Sequence, residues 1–302
     1  MRANTTSCTV FGVPFSAVRR GVILDQIRIL AQRNQASSVV FANAHVVVEA
    51  HRDPGLKRAL NQATLVVPDG VPITWVLKGK GQKEADRYSG PDLMQDLFDR
   101  EPETTHFFLG STPENLERIR RKFRGAAVGF YSPPFTTNGF SPEEKAKQLK
   151  LIEQARPDFI WVGLGAPKQE YYVTEMASKA SRGVWLAVGA AFDFYAGPKP
   201  RAPKTVQKMG LEWAFRMATE PRRLARRYLS TNPVFIKLAV KELLSRFGNG
   251  TWQPLACLGR DASGCAIDVA VLVRRAPLPD RGARDAGDLQ FRLDRFRCAT
   301  AR

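Results

Sequence analysis

The sequence predicts an α/β fold, a mainly parallel β-sheet with helices on both faces, followed by a basic helical C-terminal appendage. Three observations lead there. Short runs rich in Val, Ile and aromatic residues alternate with helical patterns of about 10–15 residues, the rhythm of βαβ units. The runs end in Gly, Pro, Asn or Asp, where a strand must turn into a helix. Positive charge is also confined: residues 1–194 hold 25 basic and 20 acidic groups, whereas residues 195–250 hold 12 and 3.

Taken in order, Ser38–Ala42 opens the series and leads into a helix around 46–61, and Thr64–Val67 leads into one around 71–78. His106–Leu109 precedes a helix from Pro113 to Phe123. Ala127–Tyr131, Phe159–Val162 and Val184–Val188 precede helices near 142–155, 168–180 and 204–218. The 142–155 helix shows how such a start is written, with Ser141 as cap, Pro142 at the first position and Glu143 and Glu144 in the first turn. Two more helices are predicted to begin near Thr219-Glu220-Pro221 and near Asn232-Pro233. In the second, Ile236, Val240, Leu243, Leu244 and Phe247 share one apolar face able to dock on the main domain. From Gly248 the chain becomes rich in Gly, Pro, Arg and Asp, with one short apolar run at Ile267–Val273. The expected division is a main domain over 1–196, a basic helical appendage over 197–250 and a weakly ordered tail over 251–302.

A net charge of +17 over 302 residues speaks about partners: nucleic acid, anionic lipid or phosphorylated substrates. Cys8, Cys257, Cys265 and Cys298 form no CxxC pair, and His45, His51 and His106 complete no zinc spacing, a pattern suited to a reducing cytosol. The first residues lack the continuous apolar core of a signal peptide, and no run of about 18 apolar residues predicts a transmembrane helix. The expectation is a cytoplasmic chain that reaches a membrane only peripherally.

In open parallel sheets, ligands sit beyond the carboxyl ends of strands. The polar residues at those ends are Asn43, then Asp69 of Pro68-Asp69-Gly70, Ser111 and Thr112, the run from Gly163 to Glu170, and Asp193. Asn43, Asp69 and Thr112 also make good helix caps. Lys168 stands where a third glycine would complete GxGxxG, so the dinucleotide fingerprint is absent and a nicotinamide-dependent oxidoreductase is disfavoured. Glycine-rich turns and free helix N-termini instead make an anion-friendly crevice suited to a nucleoside diphosphate. No Asp-x-Asp occurs to hold a metal, so arginines and helix N-termini are expected to offset the diphosphate charge without a cofactor. Arg222, Arg223, Arg226 and Arg227 form two i, i+4 pairs of like charge, which a helix tolerates best beside an external anion, and Arg201 and Lys204 extend the patch. A basic nucleic-acid-binding protein is the alternative reading, disfavoured because no helix-turn-helix, RRM or zinc module is present.

The segments FANAHVVVEA, VVPDGVPITW, RYSGPDLM, GLGAPKQE and VGAAFDFYAGPKPRAP resemble, in order, the motifs of the WecG/TagA/CpsF family (glycosyltransferase family 26) over roughly residues 38–205. Weaker similarity continues to about residue 247, and the tail after 250 lies outside it. The resemblance implies a Rossmann-like catalytic domain with a basic appendage. It implies inverting transfer of a hexose or N-acetylhexosamine from a UDP-sugar to an undecaprenyl-diphosphate-linked acceptor, in exopolysaccharide or cell-wall biosynthesis at the inner face of the plasma membrane. By motif position Asp69 matches the catalytic base. Asn43, Arg87 and Gln169 match polar residues lining the sugar-nucleotide pocket, and Asp193 matches an acidic residue near the nucleotide. Where N-acetylmannosaminyl members carry threonine two residues before the Asn43 position, this chain has Phe41, expected to narrow the pocket against an acetamido group.

Overall fold

The computed structural model describes residues 6–248, apart from 138, 198–200, 204 and 207–211, and the strands at 252–260 and 266–274. By contacts the chain divides into two units, 1–242 and 243–302.

The first unit opens with a hairpin, β1 (Ser7–Val10) and β2 (Val13–Ser16), in which Val10 pairs with Val13 across a two-residue turn. Both turn residues have positive φ, Phe11 at 53° and Gly12 at 82°, which suits the twist of a two-residue hairpin. After α1 (Arg20–Ala31) come β3 (Ser37–Ala42), α2 (Ala44–Arg52), α3 (Pro54–Gln62), β4 (Leu65–Pro68), α4 (Val71–Gly79) and α5 (Gly90–Arg100). The series continues through β5 (Thr105–Gly110), α6 (Pro113–Lys122), β6 (Ala126–Tyr131), α7 (Pro142–Ala155), β7 (Phe159–Gly163), α8 (Lys168–Lys179), β8 (Val184–Ala187) and α9 (Ala191–Ala196). Strands β3 to β8 form one parallel sheet in the order β4-β3-β8-β7-β5-β6. Along β3, Val39 and Phe41 face one apolar core while Val40 and Ala42 face the other, so the strand reads as a continuous hydrophobic run.

The predicted strands are all present. The helix expected around 46–61 is two helices, because Pro54 cannot extend α2 and Asp53 caps α3, its Oδ1 accepting from Gly55 N at 2.8 Å and Leu56 N at 3.3 Å. The hairpin, α1, α5 and α9 have no counterpart among the elements expected from the sequence.

Beyond α9 lie α10 (Glu212–Thr219) and α11 (Pro221–Gly248). Pro233, expected to open a new helix, lies inside α11. Its missing N–H removes one helical hydrogen bond, yet burial of Leu224 and Thr231 before it and Phe235 after it holds both halves on the domain. Polar contacts add to this: Arg52 Nη2 donates to the Ser230 carbonyl at 2.9 Å, His45 Nδ1 lies 3.3 Å from Thr231 Oγ1, and Lys80 pairs with Glu242. The Phe11 N–H donates to Glu242 Oε2 at 2.7 Å, and the Phe11 and Phe235 rings meet edge to face. Ile236 and Val240 are exposed, contrary to the apolar docking face expected for them, because Phe235, Leu238 and Ala239 face the domain instead. In the second unit, β9 (Trp252–Arg260) and β10 (Ala266–Arg274) pair antiparallel where the sequence offered only a short apolar run.

Beneath the sheet's other edge, buried His106 sits among the rings of Phe98, Phe108, Phe123, Phe159 and Trp161. Its Nδ1 accepts from Trp161 Nε1 at 3.0 Å, which leaves the proton on Nε2, 3.1 Å from Thr104 Oγ1. Burial pushes its pKa down to about 4, against a smaller opposing pull from Asp158. A histidine held neutral in the fold contributes stability above its unfolded pKa near 6.5, and that contribution is lost as pH falls toward about 4. The full interval amounts to about 3 kcal/mol. His106→Gln keeps a donor and an acceptor without titrating, so its thermal midpoint is expected to fall less than that of the unmodified chain between about pH 7 and 4. Parallel pH slopes for the two proteins would refute this.

Candidate functional site

The site forms where β4 and β3 end. The Asp69 N–H donates to the Ala42 carbonyl at 3.0 Å, so the loop after β4 is tied to the end of β3. Gly70, next in the loop, has φ 126°, a conformation that glycine adopts without strain. Asn43 caps a helix and also faces Asp69. Its Oδ1 caps α2, accepting from His45 N at 3.1 Å and Val46 N at 3.2 Å, and its side chain hydrogen-bonds to the Asp69 carboxylate.

Burial pushes the Asp69 pKa up to about 6. Arg87 opposes it most, Glu212 adds to the rise, and Arg216 and the Asn43 hydrogen bond favour the ionised form. The result is a carboxylate that is ionised near neutrality but retains appreciable proton affinity, the balance a general base requires.

Beside Asp69, two arginines share two acids. Arg87 Nη2 lies 3.2 Å from Asp92 Oδ2 and 3.1 Å from Glu212 Oε2. Arg201 Nη2 lies 2.8 Å from Asp92 Oδ1, with Arg201 Nε 3.7 Å from Glu212 Oε1. Ser89 Oγ donates to Asp92 at 2.6 Å. Burial alone would raise the Asp92 pKa, but the Ser89 hydrogen bond and the charges of Arg201 and Arg87 outweigh it and lower it. Arg201 thus stands next to Arg87, the two sharing Asp92.

The other expected residues separate. Gln169 is buried and acts as a strut: its Oε1 accepts from Gly165 N at 3.1 Å, and its Nε2 donates to Glu170 Oε1 at 3.0 Å and to the Ala187 carbonyl at 3.3 Å. Asp193, in the first turn of α9, accepts from Asn115 Nδ2 at 3.1 Å. Arg222 and Arg226 are exposed on α11. Arg227 is half-buried, and its charge reaches His45 and Glu170; the Arg223 side chain lies outside the described residues. Phe41 does not wall the pocket. It is 3% exposed and packs edge to face on Tyr88, within the core.

Three contributors have no signal singled out in the sequence: Asp92, Glu212 and Arg216. Arg216 lies with its guanidinium 5.4 Å from the Phe194 ring centre, and its buried Nε has no hydrogen-bond partner among the described residues. A cavity of about 1030 Å³ opens beyond β5, β6 and β7, lined by Ser111, Thr112, Tyr131, Lys145 and Lys168 among others. Asp69, Asn43 and Arg87 do not line it, so the converging charges, not this cavity, mark the candidate site. Among the described residues no group of three or more His, Cys, Asp or Glu side chains is placed to hold a metal ion.

The candidate site thus combines a parallel sheet, a buried carboxylate at its carboxyl edge and arginines acting on that carboxylate. The chain belongs to the glycosyl transferase WecG/TagA/CpsF family, whose model matches residues 8–249, and it is accordingly a glycosyltransferase. It is 30% identical over 215 residues to the N-acetylglucosaminyldiphosphoundecaprenol N-acetyl-beta-D-mannosaminyltransferase of Bacillus spizizenii, covering 69% of this chain and 80% of that protein. It is 26% identical over 244 residues to the protein of the same name from Staphylococcus aureus, covering 78% and 92%.

Asp92→Asn weakens the neutralising partner of both Arg87 and Arg201 and leaves partly buried positive charge. It is expected to cost about 2 kcal/mol, a fall of roughly 4–8 °C in thermal midpoint. A midpoint unchanged within a degree or so would show that the cluster contributes nothing to the fold.

Proposed function

We propose that the chain transfers an N-acetylhexosamine from a UDP-sugar to a lipid-diphosphate-linked sugar at an anionic membrane surface, with Asp69 as general base. The observation that carries this reading is the Asp69 carboxylate, its pKa raised to about 6, hydrogen-bonded to Asn43 and flanked by Arg87 and Arg216. The names of the relatives supply the sugar class and a lipid-diphosphate acceptor. Phe41, buried in the core, gives no direct steric ground for preferring an unacetylated hexose.

In the proposed step the acceptor hydroxyl gives its proton to Asp69 as its oxygen bonds to the anomeric carbon from the face opposite the diphosphate. The bond from that carbon to the diphosphate oxygen breaks, the configuration inverts, and UDP departs with the electron pair. Charge growing on that oxygen is offset by nearby guanidiniums, Arg216 with its unpartnered Nε and Arg87, a role that metal ions often fill.

Membrane attachment is assigned to the outer face of α11. Arg222, Arg226, Leu229, Ile236 and Val240 recur at i, i+4, i+7, i+14 and i+18, one side of a helix, and all five are exposed. Apolar residues mixed with basic ones on an exposed face suit a helix lying in an anionic headgroup layer. No helix among the described residues is long and apolar enough to cross a membrane.

Asp69→Asn is expected to cut transfer roughly 100-fold or more while UDP affinity holds within a few-fold. Initial rates from a panel of UDP-sugars on membranes carrying lipid-diphosphate acceptors, with and without EDTA, measure this. Near-normal turnover in the variant would remove Asp69 from the mechanism, and activity strictly dependent on added metal would overturn the arginine assignment.

Arg222→Ala combined with Arg226→Ala is expected to weaken sedimentation with anionic vesicles by about 2 kcal/mol, roughly 30-fold, and to reduce its salt dependence. A chain ended at Gly250 is expected to bind vesicles as the full chain does. Loss of binding on that truncation alone would move the anchor to the tail.

A further inference from the structure

Glu170 is a fully buried carboxyl at the start of α8, and the mechanism above does not use it. Its Oε1 accepts from Gln169 Nε2 at 3.0 Å, whereas its Oε2 is buried with no hydrogen-bond partner among the described residues. Gln169 in turn bonds Gly165 after β7 and Ala187 at the end of β8. Ala187 pairs with Val40 of β3, beside β4, so Glu170 is held over the same carboxyl edge as Asp69. Two charged groups act on it across this space, Asp69 from the loop after β4 and Arg227 from α11.

An ionised carboxylate fixed with one oxygen unpartnered is costly in a protein interior, and protonation removes most of that cost. Burial is the first cause of a pKa raised to about 7, and the Asp69 charge adds to the rise. Its own backbone N–H, Gln169 and Arg227 oppose it. The two carboxyls form an interacting pair whose members differ in surroundings, Asp69 facing arginines and Asn43, and Glu170 facing one amide donor.

Building on the glycosyl-transfer reading, we infer that Glu170 is a positioning residue that stays a neutral acid beside ionised Asp69, holding the pair at one negative charge so that a diphosphate can enter. The proton remains on Glu170 throughout the transfer; Asp69 alone takes the acceptor's proton. When Glu170 ionises, a second negative charge faces the diphosphate and donor binding weakens, while Asp69 remains an ionised base.

The test has two arms on the full-length protein. The first follows the carbon-13 shift of the Glu170 carboxyl from about pH 5 to 9, assigned by comparison with Glu170→Gln. A midpoint near 7 that falls in Asp69→Asn is expected; a midpoint near the ordinary glutamate value, or one indifferent to Asp69→Asn, overturns the inference. The second compares the pH dependence of KM and kcat for the UDP-sugar. In the unmodified chain KM is expected to rise about tenfold above neutral pH at nearly constant kcat. Glu170→Gln, which mimics the neutral acid, should follow it on the acid side and lose that rise, whereas Glu170→Ala should be impaired throughout. An unaltered alkaline rise of KM in Glu170→Gln, or a folded Glu170→Gln protein inactive at every pH, also overturns it. Absence of transfer in the unmodified chain with the carboxyl coupling intact refutes the glycosyl-transfer reading and leaves the pair standing.

Discussion

Four stretches of chain meet at one cluster of charge: Arg87 before α5, Asp92 within it, Arg201 beyond α9 and Glu212 at the start of α10. Two positive and two negative groups at these distances leave little net charge of their own. Asp69 and Arg216 act against that nearly neutral background. Pulling α10 away would remove Glu212 from both arginines and Arg216 from Asp69 together. The properties of the Asp69 carboxylate therefore belong jointly to the sheet domain and to the basic segment that follows it, a dependence that a carboxylate on a rigid strand end alone would not have.

Much of this was legible in the sequence because local chemistry and global fold agree there. Ser38–Ala42 could be read as a strand because it is buried on both faces, and Ser141-Pro142-Glu143-Glu144 as a helix start because cap, proline and acidic first turn point the same way. Asn43 and Asp69 were found by standing at strand ends, where a parallel sheet gathers its ligands. Arg87 and Arg201 needed the family motifs, since nothing in local spacing says that residues 114 apart share an acid. Glu212 and Arg216 carried a weaker signal, being polar residues of an amphipathic helix whose partner surface lies far away in sequence.

The failures of sequence reading have physical causes too. Asn232-Pro233 reads as a helix start because proline favours the first turn, yet tertiary burial on both sides keeps α11 continuous. The apolar set at Ile236 and Val240 was assigned to the domain because apolar faces usually bury, while the domain in fact engages the Thr231 and Phe235 side of the helix. The expectation for Phe41 came from family members with threonine at that position, but a strand residue two positions before Asn43 lies a layer deeper, where it packs on Tyr88.

The tip of the first hairpin has a consequence for synthesis. Phe11 reaches Glu242 across 231 positions, so the hairpin completes its contacts only after nearly all of the first unit has been made. The sheet's strands and their crossing helices can assemble as the chain emerges, but the turn at Phe11 keeps its apolar ring uncovered until Phe235 arrives. The hairpin tip is thus closed late, by the middle of α11, whereas every member of the charge cluster, from Arg87 to Glu212, already precedes that helix in the chain.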